Sequence, residues 1–295
     1  MTRRAITRWS WSTPSRLREL MQSNVRARGG ARSATRRGRH LTLAALAIGG
    51  SLMAPRPGAG QVSVDQAELF LDVGGSGRRV GSFNITNEGS GVAQVTIYLS
   101  DWDRQENGEH RFVPMGTLPS SCARHMQVFP QSLRLPAGGR QAVRIELNGA
   151  DSLTAACWSI AFVETSALQG GTGRQVTYVT RLGVKIYVLP PGLTKEGEVA
   201  DIAVQPGDSG RPRIAITFHD VGGMPLWVRG TVEYRRSDNS VAATDSVPEF
   251  PVLPGARRRV ALTVPRLARG AYVALALLDF GGAEIAAGQI AVRVP

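Results

Sequence analysis

Three observations predict an all-β chain built as two immunoglobulin-like antiparallel β-sandwich domains in tandem after an N-terminal signal segment. From residue 61 onward apolar residues alternate with period two. The runs so defined are short, rich in Val, Ile, Phe and Tyr, and separated by Gly, Asn, Asp or Pro. No stretch of a dozen residues carries the 3.6-residue period of an amphipathic helix. At 295 residues the chain is long enough for two domains that each bury a core. The predicted divisions are a basic leader and signal peptide over 1–60, a first sandwich over 61–190 and a second over 191–295.

The leader explains the charge. Residues 1–40 hold eleven arginines against the single acid Glu19, and so supply +10 of the formal +12. The remainder is nearly neutral, which removes the usual inference from a high pI to nucleic acid. LTLAALAIGGSLMA (41–54) then gives an apolar run followed by small residues near Ala59 and Gly60, the order of a secretory signal. The run is short for a membrane span, so no stable span is expected after cleavage; the alternative is an uncleaved anchor. The expected location is the periplasm. In an oxidising compartment two cysteines, Cys122 and Cys157, read as one disulfide, with two unpaired buried thiols as the alternative.

In the first half, VSVDQAELFLDV (62–73), RRVGSFNITN (78–87), GVAQVTIYLSDW (91–102) and WSIAFVE (158–164) read as strands. PAGG (136–139) lies between two alternating runs, so 131–147 is predicted to be a hairpin. A strand over 175–189 would be about fifteen residues long, and is expected to bend or to cross between sheets. Within it RLGVKIYVLP (181–190) sets Leu182, Val184, Ile186 and Val188 on one face and Arg181, Lys185 and Tyr187 on the other. Lys185 is one of only two lysines in the sequence. Pro190-Pro191-Gly192 ends the strand, since proline cannot donate to a ladder.

The second half repeats the pattern in about seven strands, and PEFPVLPGARRRVALTV (248–264) parallels LRLPAGGRQAVRIEL (133–147), which suggests a shared topology.

Nothing in the sequence points to an enzyme, a cofactor or a metal. His110, His125 and His219 have no Cys, Asp or Glu at a ligand or catalytic spacing, and read as isolated surface or loop residues. Ser120-Ser121-Cys122 lacks the glycine flanks of a nucleophile elbow. Asp101-Trp102-Asp103 reads as a strand end with one buried tryptophan and solvated acids.

Three stretches together resemble the periplasmic chaperones of pilus (fimbrial) assembly. They are VSVDQAELFLDVGGSGRRVGSFNITNEGS (62–90), FPQSLRLPAGGRQAVRIEL (129–147) and VTYVTRLGVKIYVLPP (176–191). The resemblance implies a protein that binds an incomplete, secreted pilus or fibre subunit, with an outer-membrane usher as a further partner. It implies that the long strand lends apolar side chains to the subunit, from Val176, Tyr178, Thr180 and Leu182. It also implies that Lys185 holds the subunit's terminal carboxylate, with Arg181 one period of four away as a stand-in second cation. The sequence departs from the family where its first strand carries an arginine. Glu68 matches that position, with Gln66 the neighbouring candidate, and an acid there would compete for Lys185. An envelope module that keeps the fold without chaperone activity is the alternative.

Overall fold

A computed structural model of the chain describes residues 62–74, 79–169, 176–207 and 210–295, all within one compact unit spanning 57–295. The predicted leader and signal lie outside the described residues. Among the described residues no helix is long and apolar enough to cross a membrane.

Residues 62–189 form ten strands: β1 (Val62–Val64), β2 (Glu68–Asp72), β3 (Val80–Asn87), β4 (Ala93–Arg104), β5 (His110–Val113), β6 (Met126–Phe129), β7 (Ser132–Leu135), β8 (Arg140–Leu147), β9 (Cys157–Gln169) and β10 (Val176–Leu189). One sheet runs β1-β3-β8-β6; the other runs β2-β10-β9-β4-β5, with β7 also paired to β4. The period-two pattern decides this architecture. Phe83 and Ile85 of β3, Val95 and Ile97 of β4, Val143 and Ile145 of β8, and Val184, Ile186 and Val188 of β10 all turn into one core between the sheets. Cys122 and Cys157 sit in that core as a disulfide.

Residues 197–294 form seven more: β11 (Gly197–Gln205), β12 (Arg213–Asp220), β13 (Leu226–Arg235), β14 (Val241–Val252), β15 (Arg257–Thr263), β16 (Gly270–Asp279) and β17 (Ala286–Val294). They make two sheets, β11-β12-β15 and β14-β13-β16-β17, over a separate core that includes Phe218, Val232, Tyr234 and Leu278. The all-β expectation holds throughout.

Three local readings are corrected. Residues 131–147 are not a hairpin: β7 pairs with β4 and β8 with β3 and β6, so PAGG turns the chain from one sheet to the other. The proposed parallel survives in that form, because β14 pairs with β13 while β15 pairs with β12 across Pro254-Gly255. A turn signal fixes reversal but not which neighbour each arm finds, and here both arms bury their apolar rows from opposite sides of a core. β10 does not cross between sheets; it stays in register with β9 from Val176 to Val188. Asp101 is buried rather than solvated, because its carboxylate accepts from the Leu118 amide at 2.9 Å and from Ser121 Oγ at 2.6 Å. Asp103 does lie nearer the surface, paired with Arg111.

A third apolar cluster covers the outer face of the β10 sheet. Trp102, Trp158, Ile160, Phe162, Tyr187 and Leu189 pack there with Leu253, while Leu193, Met224 and Ala256 close its margin. Tyr187 stacks on Phe70 at 4.9 Å and meets Trp227 edge-on at 6.1 Å, so rings from both halves share one contact.

Candidate functional site: the open edge of β10 and the groove above it

β10 is covered on one side by β9 along nearly its whole length, but on the other side β2 pairs with it only from Lys185 to Leu189. Backbone groups alternate sides along a strand, and the Lys185 amide donates to the Ala67 carbonyl at 2.9 Å on the β2 side. The amides of Arg181, Val179 and Thr177 therefore face the same side, where no strand among the described residues pairs with them.

The two side-chain rows diverge along the strand. Val184, Ile186 and Val188 are fully buried in the core. Leu182 packs at its margin, and Thr180 and Tyr178 continue the row into solvent, Tyr178 being 54% exposed. Val176 is the first residue of β10. The apolar row is thus core over its C-terminal part and uncovered over its N-terminal part.

The other row carries Arg181, Gly183, Lys185 and Tyr187. Together with Ile160 and Phe162 of β9 and His110 and Phe112 of β5, the first three line a groove of about 320 Å³. Gly183 has no side chain to fill it; a Cβ there would stand 2.6 Å from Ile160 Cδ1. Phe112 meets Phe162 edge-on at 5.2 Å and stacks on His110 at 5.8 Å. Arg181 covers Phe162 at 5.3 Å and pairs with Glu164 at 2.8 Å, which also accepts from Tyr98 Oη at 2.9 Å. These bonds hold the Glu164 carboxyl below its ordinary value. Lys185 lies over the Trp102 ring at 5.2 Å, with Nζ 3.2 Å from Glu68 Oε1. Both cations expected at the site are present on one face, and each is matched by an acid of this chain.

The sequence does not mark His110 and Phe112 as site residues, and His110 reads there as isolated, whereas both line the groove. β4 and β5 form a hairpin that pairs Trp102 with Phe112 and Arg104 with His110. Asn107-Gly108, a strong hairpin turn signal, was the available clue. The ring of His110 takes a 2.8 Å bond from Arg104 Nη2, and burial followed by the charges of Arg104 and Lys185 lowers its pKa. His219 also has a partner, Glu198 on the neighbouring strand at 3.4 Å.

No family model matches the sequence, and no curated protein matches it. Among solved structures the chain is similar to the class 5 fimbriae chaperone CfaA, at 13% identity over 80% of this chain and 100% of that one, with a TM-score of 0.46. It is similar to a CsuC–CsuE chaperone–tip adhesion subunit complex of Acinetobacter baumannii at 9% identity, over 78% and 98% of the chains, TM-score 0.46. It is also similar to the Salmonella enterica SafA pilin–SafB chaperone complex at 12% identity, over 81% and 98%, TM-score 0.41. Identities and TM-scores this low are a resemblance of chain course alone.

Proposed function

We propose that this chain is a periplasmic, non-catalytic chaperone-like protein that caps secreted pilus or surface-fibre subunits by lending them the open edge of β10. The observation that carries the reading is the split of β10. Its C-terminal part is paired on both sides and buried, while its N-terminal part offers amides and carbonyls that no strand among the described residues pairs, together with an uncovered extension of the core row at Leu182, Thr180 and Tyr178. An open edge of this kind is a template for strand addition, and a partner strand satisfies the backbone and the side-chain row at once. Residues 61–190 act as the client-binding domain and 191–295 as its second domain. Lys185 anchors the client's terminal carboxylate, an outer-membrane usher is a further partner, and neither a cofactor nor nucleic acid takes part.

The Glu68–Lys185 pair favours a second reading, in which the fold is kept as an envelope binding or structural module and Lys185 is only neutralised. Co-expression in a periplasm with a secreted β-subunit lacking its final strand, followed by affinity capture, separates the two. The chaperone reading predicts a stable complex that is lost on Tyr178→Asp; no complex would refute it.

A further inference from the structure

The second sandwich is closed along one flank and open along the other. At the closed flank β17 comes so near β11 that a Cβ on Gly288 would stand 2.7 Å from Val199. At the open flank β14 and β15 end their sheets without pairing to each other, and a groove of about 730 Å³ is lined by both. The two rims differ. β14 carries Pro248 and Pro251, and proline is a residue that keeps a strand edge from being extended. β15 reads RRRVALT and carries none.

The hydrogen bonds that flank β15 fix which of its backbone groups face the groove. The Ala256 carbonyl accepts from the Asp220 amide at 3.1 Å and the Val264 amide donates to the Pro212 carbonyl at 2.9 Å, so even-numbered residues turn toward β12. Odd-numbered residues turn away from it, and the tip of the β4–β5 hairpin already uses one of them. The Arg259 amide donates to the Glu106 carbonyl at 2.8 Å, while Arg259 Nε pairs with the Glu106 carboxylate at 3.2 Å. Ala261 and Thr263 face the same way, and no strand among the described residues pairs with them on that side.

The side chains along this edge sort by face. On the outer face Arg259, Ala261 and Thr263 stand in register with Thr217, Ala215 and Arg213. The rung between Arg259 and Arg213 therefore carries only the methyl groups of Ala215 and Ala261. On the inner face Val260 and Leu262 line the groove beside Phe250. Three arginines, Arg213, Arg258 and Arg259, line it against two acids, Glu106 and Glu249. Glu106 is taken by Arg259, and Arg213 has no carboxylate partner among the described residues.

We infer that β15 is a second strand-docking edge, and that its partner is an extended acidic segment of another polypeptide in which Asp or Glu alternates with apolar residues. Glu106 displays the mode of recognition within the chain itself: one main-chain bond to β15 and one carboxylate on a β15 arginine. A segment laid along the edge beyond Glu106 bonds to Ala261 and Thr263, sets its acids over the Ala215–Ala261 rung toward Arg213, and sets its apolar side chains against Val260 and Leu262. The site is separate from the β10 edge and does not depend on it.

The probe is a short acetylated and amidated peptide of alternating Val and Glu carrying a fluorescent label, compared with its Val-Gln counterpart by anisotropy on the whole protein. The Glu peptide should bind at least about threefold more tightly than the Gln peptide, the scale of an ion pair that solvent still reaches. Arg213→Met should bring that preference to near unity and leave Gln-peptide binding little changed. Ala261→Pro removes an outward amide and none from the β12 ladder, so it should weaken both peptides by at least about tenfold at an unchanged unfolding midpoint. Val179→Pro, on β10, should leave both unaffected. Absence of binding, equal binding of the two peptides, or a preference that survives Arg213→Met overturns the inference. So does binding that a folded Ala261→Pro variant retains; if that variant is destabilised, the Arg213→Met result decides. Loss of binding on Val179→Pro would assign the peptide to β10, which overturns the inference while the β10 reading stands.

Discussion

Lys185 and Glu68 occupy one rung of the parallel β2–β10 ladder, and their side chains meet there at 3.2 Å over the face of Trp102. The chain thus supplies its own carboxylate to the lysine proposed above as the client anchor. The pair is only part-exposed, but it is not sealed: 19% of the Lys185 side chain and 27% of the Glu68 side chain remain accessible. An incoming carboxylate competes with Glu68 rather than finding a free ammonium.

It follows that Glu68→Gln strengthens client binding. The expected gain is up to about tenfold in Kd, with a stability change within about 1 kcal/mol, the usual worth of a pair that solvent still reaches. Titration with a strand-forming peptide that ends in a free carboxylate, and denaturant unfolding of the same variant, check both halves. Lys185→Met should do the opposite to binding.

The two parts of the β10 apolar row should respond differently to truncation. Ile186 is fully buried in the first core, and Ile186→Ala is expected to cost about 2–5 kcal/mol. Tyr178 is mostly in solvent, so Tyr178→Ser should cost within about 0.5 kcal/mol while abolishing subunit capture. Urea unfolding curves of the two variants, set beside a capture assay, test this division of the strand.

Cys122 and Cys157 are 35 residues apart and joined within the first core. Replacing both with alanine is expected to cost about 3–4 kcal/mol through the freed loop of the unfolded chain. Because the loop lies between residues of the first sandwich, the second core should melt unchanged, and calorimetry that resolves the two transitions would show it.

Asp220 ends β12 with its carboxyl buried. One oxygen accepts from the Gly222 amide at 3.0 Å and the other has no partner, so burial pushes its pKa up to about 8. Between the unfolded value near 4 and about 8 the native state holds a proton that the unfolded state has released. Stability from this group is full at low pH and is lost as pH rises through 8, with a slope of up to about 1.4 kcal/mol per unit. Thermal melts of the unaltered protein from pH 5 to 9 should show this fall, and Asp220→Asn should flatten it.

Much of this fold is legible along the chain, and the exceptions have physical causes. Alternation alone orients the β10 rows correctly, because a sheet with one buried face imposes period two on its residues. The disulfide is accessible from the cysteine count. Alternation does not tell which neighbour a strand finds, and that is why 131–147 reads as a hairpin although its arms belong to opposite sheets. Asp101 looks like a surface acid because its two donors, Leu118 and Ser121, come from a loop some twenty residues away. The site is legible only in part for the same reason. Lys185, Arg181 and Glu68 can be picked out by their position in strands, but His110 and Phe112 reach the groove through the β4–β5 hairpin and acquire meaning only from cross-strand pairing.

The central claim, that the open edge of β10 captures a strand, is tested most directly by Val179→Pro. The Val179 amide faces the uncovered side and its side chain is 57% exposed, so proline there removes one donor from the open edge and none from the β9 ladder. Capture of a subunit lacking its final strand by this variant should fall by at least about tenfold, with the unfolding midpoint little changed. Capture equal to that of the unaltered protein would contradict the account.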